Sequence, residues 1–174
     1  MADLIEGLGP DGQLSILNVI DCYSRYITCF TLQKKTTNEI IAAFTHYFAQ
    51  HGPCKYLATD NATIFRSEQF QQFVDQFNIH LVSSTPYRSQ ARSLVENANR
   101  LIQQAIMKIS TERARSDWKT ILSLATFFLN RKKLYYHPEL SPYQMHHQTM
   151  CDGLGVIRRD ITAVKEHHMT EDRN

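Results

Sequence analysis

Three carboxylates of this 174-residue chain are candidates for chemistry on a phosphate ester. Asp3 stands near the start, Asp60 follows a short apolar run, and 35 residues separate Glu96 from Asp60. Carboxylate oxygens are the ligands that hard divalent cations prefer. Two such ions, held roughly 3.5–4 Å apart, stabilise both the attacking and the leaving oxygen of an in-line phosphoryl displacement. The three acids are therefore candidate catalytic ligands for Mg²⁺ or Mn²⁺, with two ions expected.

Each acid also has a purely structural interpretation. Asp60 begins an Asp-Asn pair, which is typical of a turn. Glu96 lies three residues after Ser93, which is the spacing of a capping box, and an acid there also suits the helix dipole. Asp3 has a rival in Asp21, which 38 residues separate from Asp60. The residues alone leave these alternatives open, and without the spacing to Asp60 the cap is the favoured interpretation of Glu96.

The strands that must position these acids can be read from residue type and alternation. Residues 14–20 and 26–32 are β-rich runs joined by a polar turn, which predicts an antiparallel hairpin. Residues 56–59 predict a short strand that ends on Asp60, and residues 79–83 predict another strand. Asp60 thus falls at the carboxyl end of a central strand, where open α/β sheets carry their sites.

Helices are predicted where apolar residues recur at helical spacing. They begin after a capping box at residues 36–39, at Ser67, at Ser93, near residue 117 and, briefly, at Ser141. The polar residues 86–92 are interpreted as a loop. Strands, helix, strand, helix, strand and then helices form the order of an α/β fold with a mixed central sheet flanked by helices. Residues 1–150 are predicted to form one domain and residues 151–174 a polar C-terminal tail.

The net charge of +2 hides a basic middle segment. Residues 88–133 carry 10 Lys and Arg against 3 Asp and Glu, whereas the segments on either side are acidic. This asymmetry suits a polyanion partner or an ordinary solvated helix face, and charge alone does not decide between them. No apolar stretch approaches the roughly 20 residues that cross a bilayer, so no membrane partner is expected.

A resemblance to a known family rests on several of these motifs. The segment Thr59-Asp60-Asn61 with Phe65, followed by Glu96-Asn97-Ala98-Asn99-Arg100 at that separation, resembles the second and third acids of retroviral-type integrases. Within that group the chain is most similar to gypsy-type LTR-retrotransposon integrases. The match covers roughly residues 3–146 and includes further landmarks, namely the strand and turn from Leu17 to Tyr26, Thr85-Pro86-Tyr87, Trp118, Asn130 and Ser141-Pro142-Tyr143.

The resemblance implies a ribonuclease-H-like fold and a divalent-metal-dependent polynucleotidyl transferase. Such an enzyme performs DNA 3′-end processing and strand transfer, that is, DNA integration. The family's first acid lies in the first strand, which matches Asp3, whereas the place of Asp21 belongs to the second strand and is not a metal ligand. The implied catalytic and metal-binding residues are therefore Asp3, Asp60 and Glu96.

Basic and aromatic residues around Glu96 are predicted to contact DNA. An aromatic side chain and two arginines in the loop suit base stacking and phosphate contact, and polar residues on the helix beyond Glu96 suit phosphates. An ordinary solvated face is the alternative for the helix, and a surface aromatic is the alternative for Tyr87. The predicted DNA-binding residues are Tyr87, Arg88, Arg92, Arg100, Gln103 and Lys108.

Two departures from the family's pattern favour a second hypothesis. Arg88-Ser89 and Arg92-Ser93 stand where the family carries a His-Pro pair and an Asn-Gly pair, so a permissive glycine is lost. The chain begins two residues before Asp3, so the first strand is expected to be truncated at its N-terminal edge. The alternative is a catalytically silent or domesticated integrase remnant that binds DNA or a protein. In either case we expect a homodimer or a higher homo-oligomer inside the cell, in cytoplasm and nucleus.

Overall fold

The computed structural model describes residues 1–8, 14–60, 62–83, 89–112, 117–135 and 137–148. Within these residues no helix is long and apolar enough to cross a membrane. The strands and helices run in the order β1 (Ala2–Leu8), β2 (Leu14–Ile20), β3 (Ile27–Leu32), α1 (Thr37–His51), β4 (Tyr56–Thr59), α2 (Glu68–Gln76), β5 (His80–Ser83), α3 (Ser89–Glu112), α4 (Trp118–Arg131) and α5 (Pro142–Gln148).

The five strands form one mixed sheet in the order β3-β2-β1-β4-β5. Strands β1, β2 and β3 are antiparallel neighbours, whereas β4 pairs parallel to β1 and β5 pairs parallel to β4. The predicted hairpin is confirmed, with Ile20 opposite Ile27 at the turn and Ser15 opposite Leu32 at the far end. A mixed sheet flanked by helices is the fold class that the order of strands and helices predicted.

Two hydrophobic layers cover the two faces of this sheet. Successive strand side chains point to opposite faces, so Leu17 and Val19 of β2 pack with α1 and α2, whereas Ile16 and Ile20 pack with α3 and α4. On β1, Ile5 lies on the α3 side. As far as the bulge after Ile5, the odd-numbered residues of β1 therefore face α3 together with the even-numbered residues of β2, and Asp3 and Asn18 belong to that set.

The predicted helix starts are confirmed where a capping side chain defines them. The Thr36 hydroxyl accepts the Glu39 N–H at 3.3 Å, and the Glu39 carboxylate accepts the Lys34 N–H at 3.0 Å. Ser67 caps α2 in the same way. Gly52 ends α1 with a φ of 77°, a conformation that glycine adopts without strain.

The start of α3 corrects one prediction. The helix begins at Ser89 rather than at Ser93, so residues 89–92 are helical and not part of a loop. The segment is polar, but Gln, Ala and Arg are strong helix formers, and polarity describes an exposed turn as well as it describes a loop. Glu96 therefore lies about two turns inside the helix, so the capping-box and helix-dipole interpretations of Glu96 are wrong.

Candidate active site

The parallel pairing of β1 with β4 places two of the candidate acids at one position of the sheet. Ala2 pairs with Thr59, so Asp3 and Asp60 are the next residues along two adjacent strands. Both carboxylates are half-buried. This register sets the start of β1 beside the end of β4, so two residues that are distant in sequence meet.

The third acid comes from α3, which crosses the same face of the sheet. Val95, Ala98 and Ile102 of α3 are buried against Ile5 and Ile16 of the sheet. Glu96 lies on the neighbouring exposed side of the helix. The helix therefore presents Glu96 beside the sheet position of Asp3, and the packing of its apolar face fixes that rotation.

The electrostatics of Asp3 indicate that the three acids share one environment. Burial raises the pKa of Asp3 above its ordinary value, and the negative charges of Asp60 and Glu96 raise it further. Hydrogen bonds from Leu4 and Asn99 oppose this rise without cancelling it. Like charges near each other disfavour ionisation, and a cation placed among them would relieve that cost.

Asp3 is held by two donors. The Leu4 N–H donates to Asp3 Oδ1 at 2.9 Å, and Asn99 Nδ2 donates to Asp3 Oδ2 at 2.7 Å. Asn99 Oδ1 in turn accepts a bond from Asn18 Nδ2 at 2.7 Å. Sequence reasoning missed the roles of Asn18 and Asn99. The available signal was an asparagine in the apolar run Leu14–Ile20, where a polar side chain needs a partner.

Asp60 keeps part of its structural role as well. Its Oδ1 accepts the Ala62 N–H at 3.1 Å, which is the bond expected of an Asp that turns the chain after a strand. Phe65, a few residues later, is buried and helps to seat this turn on the core. The turn uses one carboxylate oxygen in this bond, so the structural and the metal-binding interpretations of Asp60 are compatible.

The chemistry of the donors fits Mg²⁺ or Mn²⁺. All three side chains offer carboxylate oxygens, and they come from a strand, a strand end and a helix that meet on one side of the sheet. Among the residues that the structure describes, however, no three His, Cys, Asp or Glu side chains stand close enough together to enclose an ion. The backbone and the electrostatics therefore suit the ion, and the carboxylates are not drawn together around a common centre.

Asp21, the rival of Asp3, belongs to a different network. The Ser24 hydroxyl and the Ser24 N–H donate to Asp21 Oδ2 at 2.5 and 2.9 Å, and His146 Nδ1 lies 3.8 Å from that oxygen. Burial by itself would raise the pKa of Asp21, but His146, Ser24 and the Tyr23 N–H outweigh burial and hold that pKa well below its ordinary value. The protein itself thus supplies the hydrogen-bond partners of this carboxylate.

The predicted DNA-binding residues are only partly described. Arg100, Gln103 and Lys108 are exposed on α3, as expected for either a phosphate-binding or a solvated face. The Arg100 guanidinium donates to Asn97 Oδ1 at 2.8 Å and to Gln104 Oε1 at 3.2 Å. Arg92 belongs to α3 rather than to a loop, which corrects its placement. Tyr87 and Arg88 lie outside the described residues.

Comparison with known proteins identifies a family and several retroviral relatives of this chain. The family model described as "Integrase core domain" matches residues 2–89. The Gag-Pro-Pol polyprotein of Simian retrovirus SRV-1 is 30% identical over 127 residues, which cover 68% of this chain and 7% of that polyprotein. The Pro-Pol polyprotein of Feline foamy virus is 27% identical over 151 residues, which cover 86% of this chain and 13% of the polyprotein. The chain therefore spans a small part of the curated relatives it matches.

Solved structures with the same fold include three retroviral integrases. The simian T-cell lymphotropic virus intasome in complex with PP2A regulatory subunit B56 gamma gives a TM-score of 0.76 at 21% identity, over 84% of this chain and 52% of that one. The HTLV-2 integrase catalytic core domain in complex with magnesium, in its trimeric form, gives 0.74 at 21% identity, over 84% and 93%. The catalytic core domain of BIV integrase gives 0.72 at 16% identity, over 86% and 94%. At these identities the likeness establishes the ribonuclease-H-like fold of integrase cores.

Proposed function

Because this chain belongs to the integrase core domain family, we propose that it is the catalytic core of a DNA integrase. Its reaction is 3′-end processing and strand transfer, in which water or a DNA 3′-hydroxyl attacks a DNA phosphodiester. The observation that carries the proposal is the placement of Asp3, Asp60 and Glu96 in one electrostatic environment on one side of the sheet. Three like charges close together repel one another, and a divalent cation bound among them would relieve that repulsion.

The proposed metal ligands are Asp3, Asp60 and Glu96. Bound there, Mg²⁺ or Mn²⁺ would supply Lewis-acid stabilisation of the attacking and leaving oxygens, and two ions suit that role. Leu4 and Asn99 fix the rotation of the Asp3 carboxylate, and the Ala62 N–H fixes that of Asp60. These bonds hold the carboxylates in place, so fewer side-chain rotations are needed when a metal ion binds.

DNA is the proposed substrate and lies along the exposed side of α3. Arg100, Gln103 and Lys108 are exposed there, and the segment 88–133 carries the excess of positive charge. Phosphate contacts from such residues orient a duplex without reading its sequence. Tyr87, Arg88 and Arg92, which precede Glu96 in the sequence, are further proposed DNA contacts. A solved relative is an intasome, which supports DNA as the partner.

Self-association and cellular location complete the proposal. We infer a homodimer or a higher homo-oligomer, because Phe127 and Phe128 of α4 expose 46% and 56% of their surface and because the HTLV-2 core was solved in dimeric and trimeric forms. Large exposed aromatics on one helix are typical of an interface. We also propose that the protein acts in the cytoplasm and nucleus, and that its source is a gypsy-type LTR element.

Strand joining on a branched DNA substrate tests the proposed activity. The full chain is incubated with a Y-shaped oligonucleotide and Mn²⁺, and the joined product is followed on a denaturing gel, with EDTA as the control. A metal-dependent product supports the integrase core. If the wild-type chain binds DNA but gives no product with Mg²⁺ or Mn²⁺, the proposed activity is wrong. The departures at Arg88-Ser89 and Arg92-Ser93 would then favour the silent remnant.

A further inference from the structure

A line of polar side chains crosses the sheet beneath α3 and ends on Asp3. Asp3 of β1 pairs with Asn18 of β2, and Asn18 pairs with Cys29 of β3, so these residues are lateral neighbours. Asn18 is fully buried, with no exposed surface. Asn99 of α3 bridges Asn18 and Asp3 with two bonds of 2.7 Å.

The direction of every bond in this line follows from the chemistry of its two ends. The Asp3 carboxylate is an acceptor only, so Asn99 points its NH₂ group toward Asp3 and its Oδ1 toward Asn18. The Asn18 amide therefore points its NH₂ group toward Asn99 Oδ1 and its own Oδ1 toward Cys29. Burial raises the pKa of the Cys29 thiol, so the thiol stays protonated and completes the line as a weak donor to Asn18 Oδ1 at 3.8 Å.

A flipped Asn99 amide would point its oxygen at Asp3 and lose both bonds. A carboxylate is an acceptor only, so an amide oxygen in that place repels it. Asn99 is half-exposed, and water can satisfy either of its ends. Asn18 is the part of the line that water does not reach, so its NH₂ group holds the Asn99 amide in the orientation that donates to Asp3.

We propose that Asn18 is a positioning residue, which sets the orientation of the Asp3 carboxylate through Asn99. This inference rests on the proposed function, in which Asp3 is a metal ligand. Groups that orient ligands typically change metal affinity by about 10–100-fold when they are removed. The Asn18 side chain bonds Asn99 and Cys29, and the bond to Asn99 is the one that leads to Asp3.

The test measures the Mn²⁺ dependence of the melting temperature of the full chain. Asn18→Leu keeps the branched shape of the side chain and removes its amide, and Asn18→Val suits a strand if the larger leucine prevents folding. We expect the half-saturating Mn²⁺ concentration to rise about tenfold, while the melting temperature without metal stays near that of the wild type. Asn97→Leu is the matched control, because Asn97 lies on the same helix and bonds Arg100 instead of Asp3.

A double variant tests the route. Asn99→Leu should raise the half-saturating concentration by itself, and adding Asn18→Leu should raise it no further, because residues that act in series are not additive. An unchanged Mn²⁺ response in Asn18→Leu would overturn the proposal. So would fully additive effects of the two substitutions.

A measurement without metal separates this proposal from the proposed function. If the wild-type chain does not respond to Mn²⁺, the proposed function fails, and the carboxyl-carbon NMR signal of Asp3 then decides about Asn18. A shift of that signal in Asn18→Leu that disappears in the Asn99→Leu background retains the positioning role. A signal that ignores Asn18→Leu overturns it.

Discussion

Asp3 and Asp21 stand near one another in sequence, yet the protein treats their charges in opposite ways. Asp3 has two hydrogen-bond donors, burial and two like charges nearby, and its pKa is raised. Asp21 has Ser24, the Tyr23 N–H and the imidazole of His146, and its pKa is lowered in spite of burial. A carboxylate that the protein satisfies needs no cation. A carboxylate that the protein crowds with other acids favours one.

The surroundings of Asp21 make it part of the structure rather than of the chemistry. Ser24 is buried and its hydroxyl donates to Asp21, so it accepts at the same time from His146 Nδ1 at 3.3 Å. His146 Nε2 lies 2.9 Å from His51 Nδ1, and the ring of His146 stacks on Tyr26 at 4.4 Å between centroids. This network ties α5 and α1 to the turn between β2 and β3.

Loss of one acid at the Asp3 site should have the largest effect. Asp60→Asn keeps the turn, because an amide oxygen also accepts the Ala62 N–H, but it removes a ligand charge. Lewis-acid stabilisation is worth several kcal/mol, so strand joining should fall by at least about 100-fold. The rise of melting temperature with Mn²⁺ should disappear as well.

Asp75→Asn is the control for that prediction, because Asp75 is an exposed acid on α2. The control should keep both the activity and the metal response. A normal Mn²⁺ response in Asp60→Asn would remove Asp60 from the site.

Substituting the two compared acids one at a time should give an effect as large as that of Asp60→Asn at Asp3 and none at Asp21. Asp3→Asn should abolish strand joining and the metal response. Asp21→Asn should keep both, because Asp21 neither neighbours Asp60 in the sheet nor takes part in the bonds that hold Asp3. Activity of the two variants is measured on the branched DNA substrate with Mn²⁺. Full activity in Asp3→Asn together with an inactive Asp21→Asn would reverse the assignment.

A third test asks whether DNA binds near Asp3 or near Asp21. Replacing Arg92 and Arg100 by Ala should weaken binding to all sequences alike and flatten the log–log salt dependence by roughly 1–2, because each phosphate contact contributes about 0.9. The melting temperature should stay at the wild-type value, since Arg100 is exposed. Fluorescence anisotropy of labelled duplex DNA over a salt series measures the slope.

Arg131→Ala is the control, because Arg131 lies in the region of Asp21 and His146 and not in that of Asp3. Arg131 stacks on Phe127 and Tyr143, at 3.9 and 4.3 Å from their ring centroids, near the histidines. Its removal should leave the salt slope unchanged. A slope that responds to Arg131 and not to Arg92 and Arg100 would place the DNA on that side.

The smallest expected effect is on stability and depends on pH. The folded chain binds the Asp21 proton less tightly than the unfolded chain does, so Asp21 adds stability above its ordinary pKa of 3.8 and loses it as the pH falls through the lower folded value. Asp21→Asn should therefore cost about 1 kcal/mol at pH 7, a modest value because 34% of the side chain is exposed. Urea unfolding of both proteins from pH 7 down to pH 2.5 should show this difference shrinking below pH 3.8. A difference that is constant over this range would contradict the network around Asp21.

Local sequence signals predicted most of the fold. The hairpin of β2 and β3 and the caps at Thr36 and Ser67 depend on neighbours within a few residues, and the structure confirms them. The predicted start of α3 was wrong because Gln, Ala and Arg are equally acceptable in a helical turn and in a loop. Only packing distinguishes these two states.

Residue type and periodicity predicted the order of most strands and helices and supplied the three acids with carboxylate chemistry, because both are local properties of the sequence. The tertiary structure decided which acid is crowded and which is satisfied. That distinction depends on the pairing of Ala2 with Thr59, on the rotation of α3 over β1 and on the approach of His146 to Asp21. Each of these contacts joins residues far apart in the chain, and an electrostatic environment is a sum over such contacts.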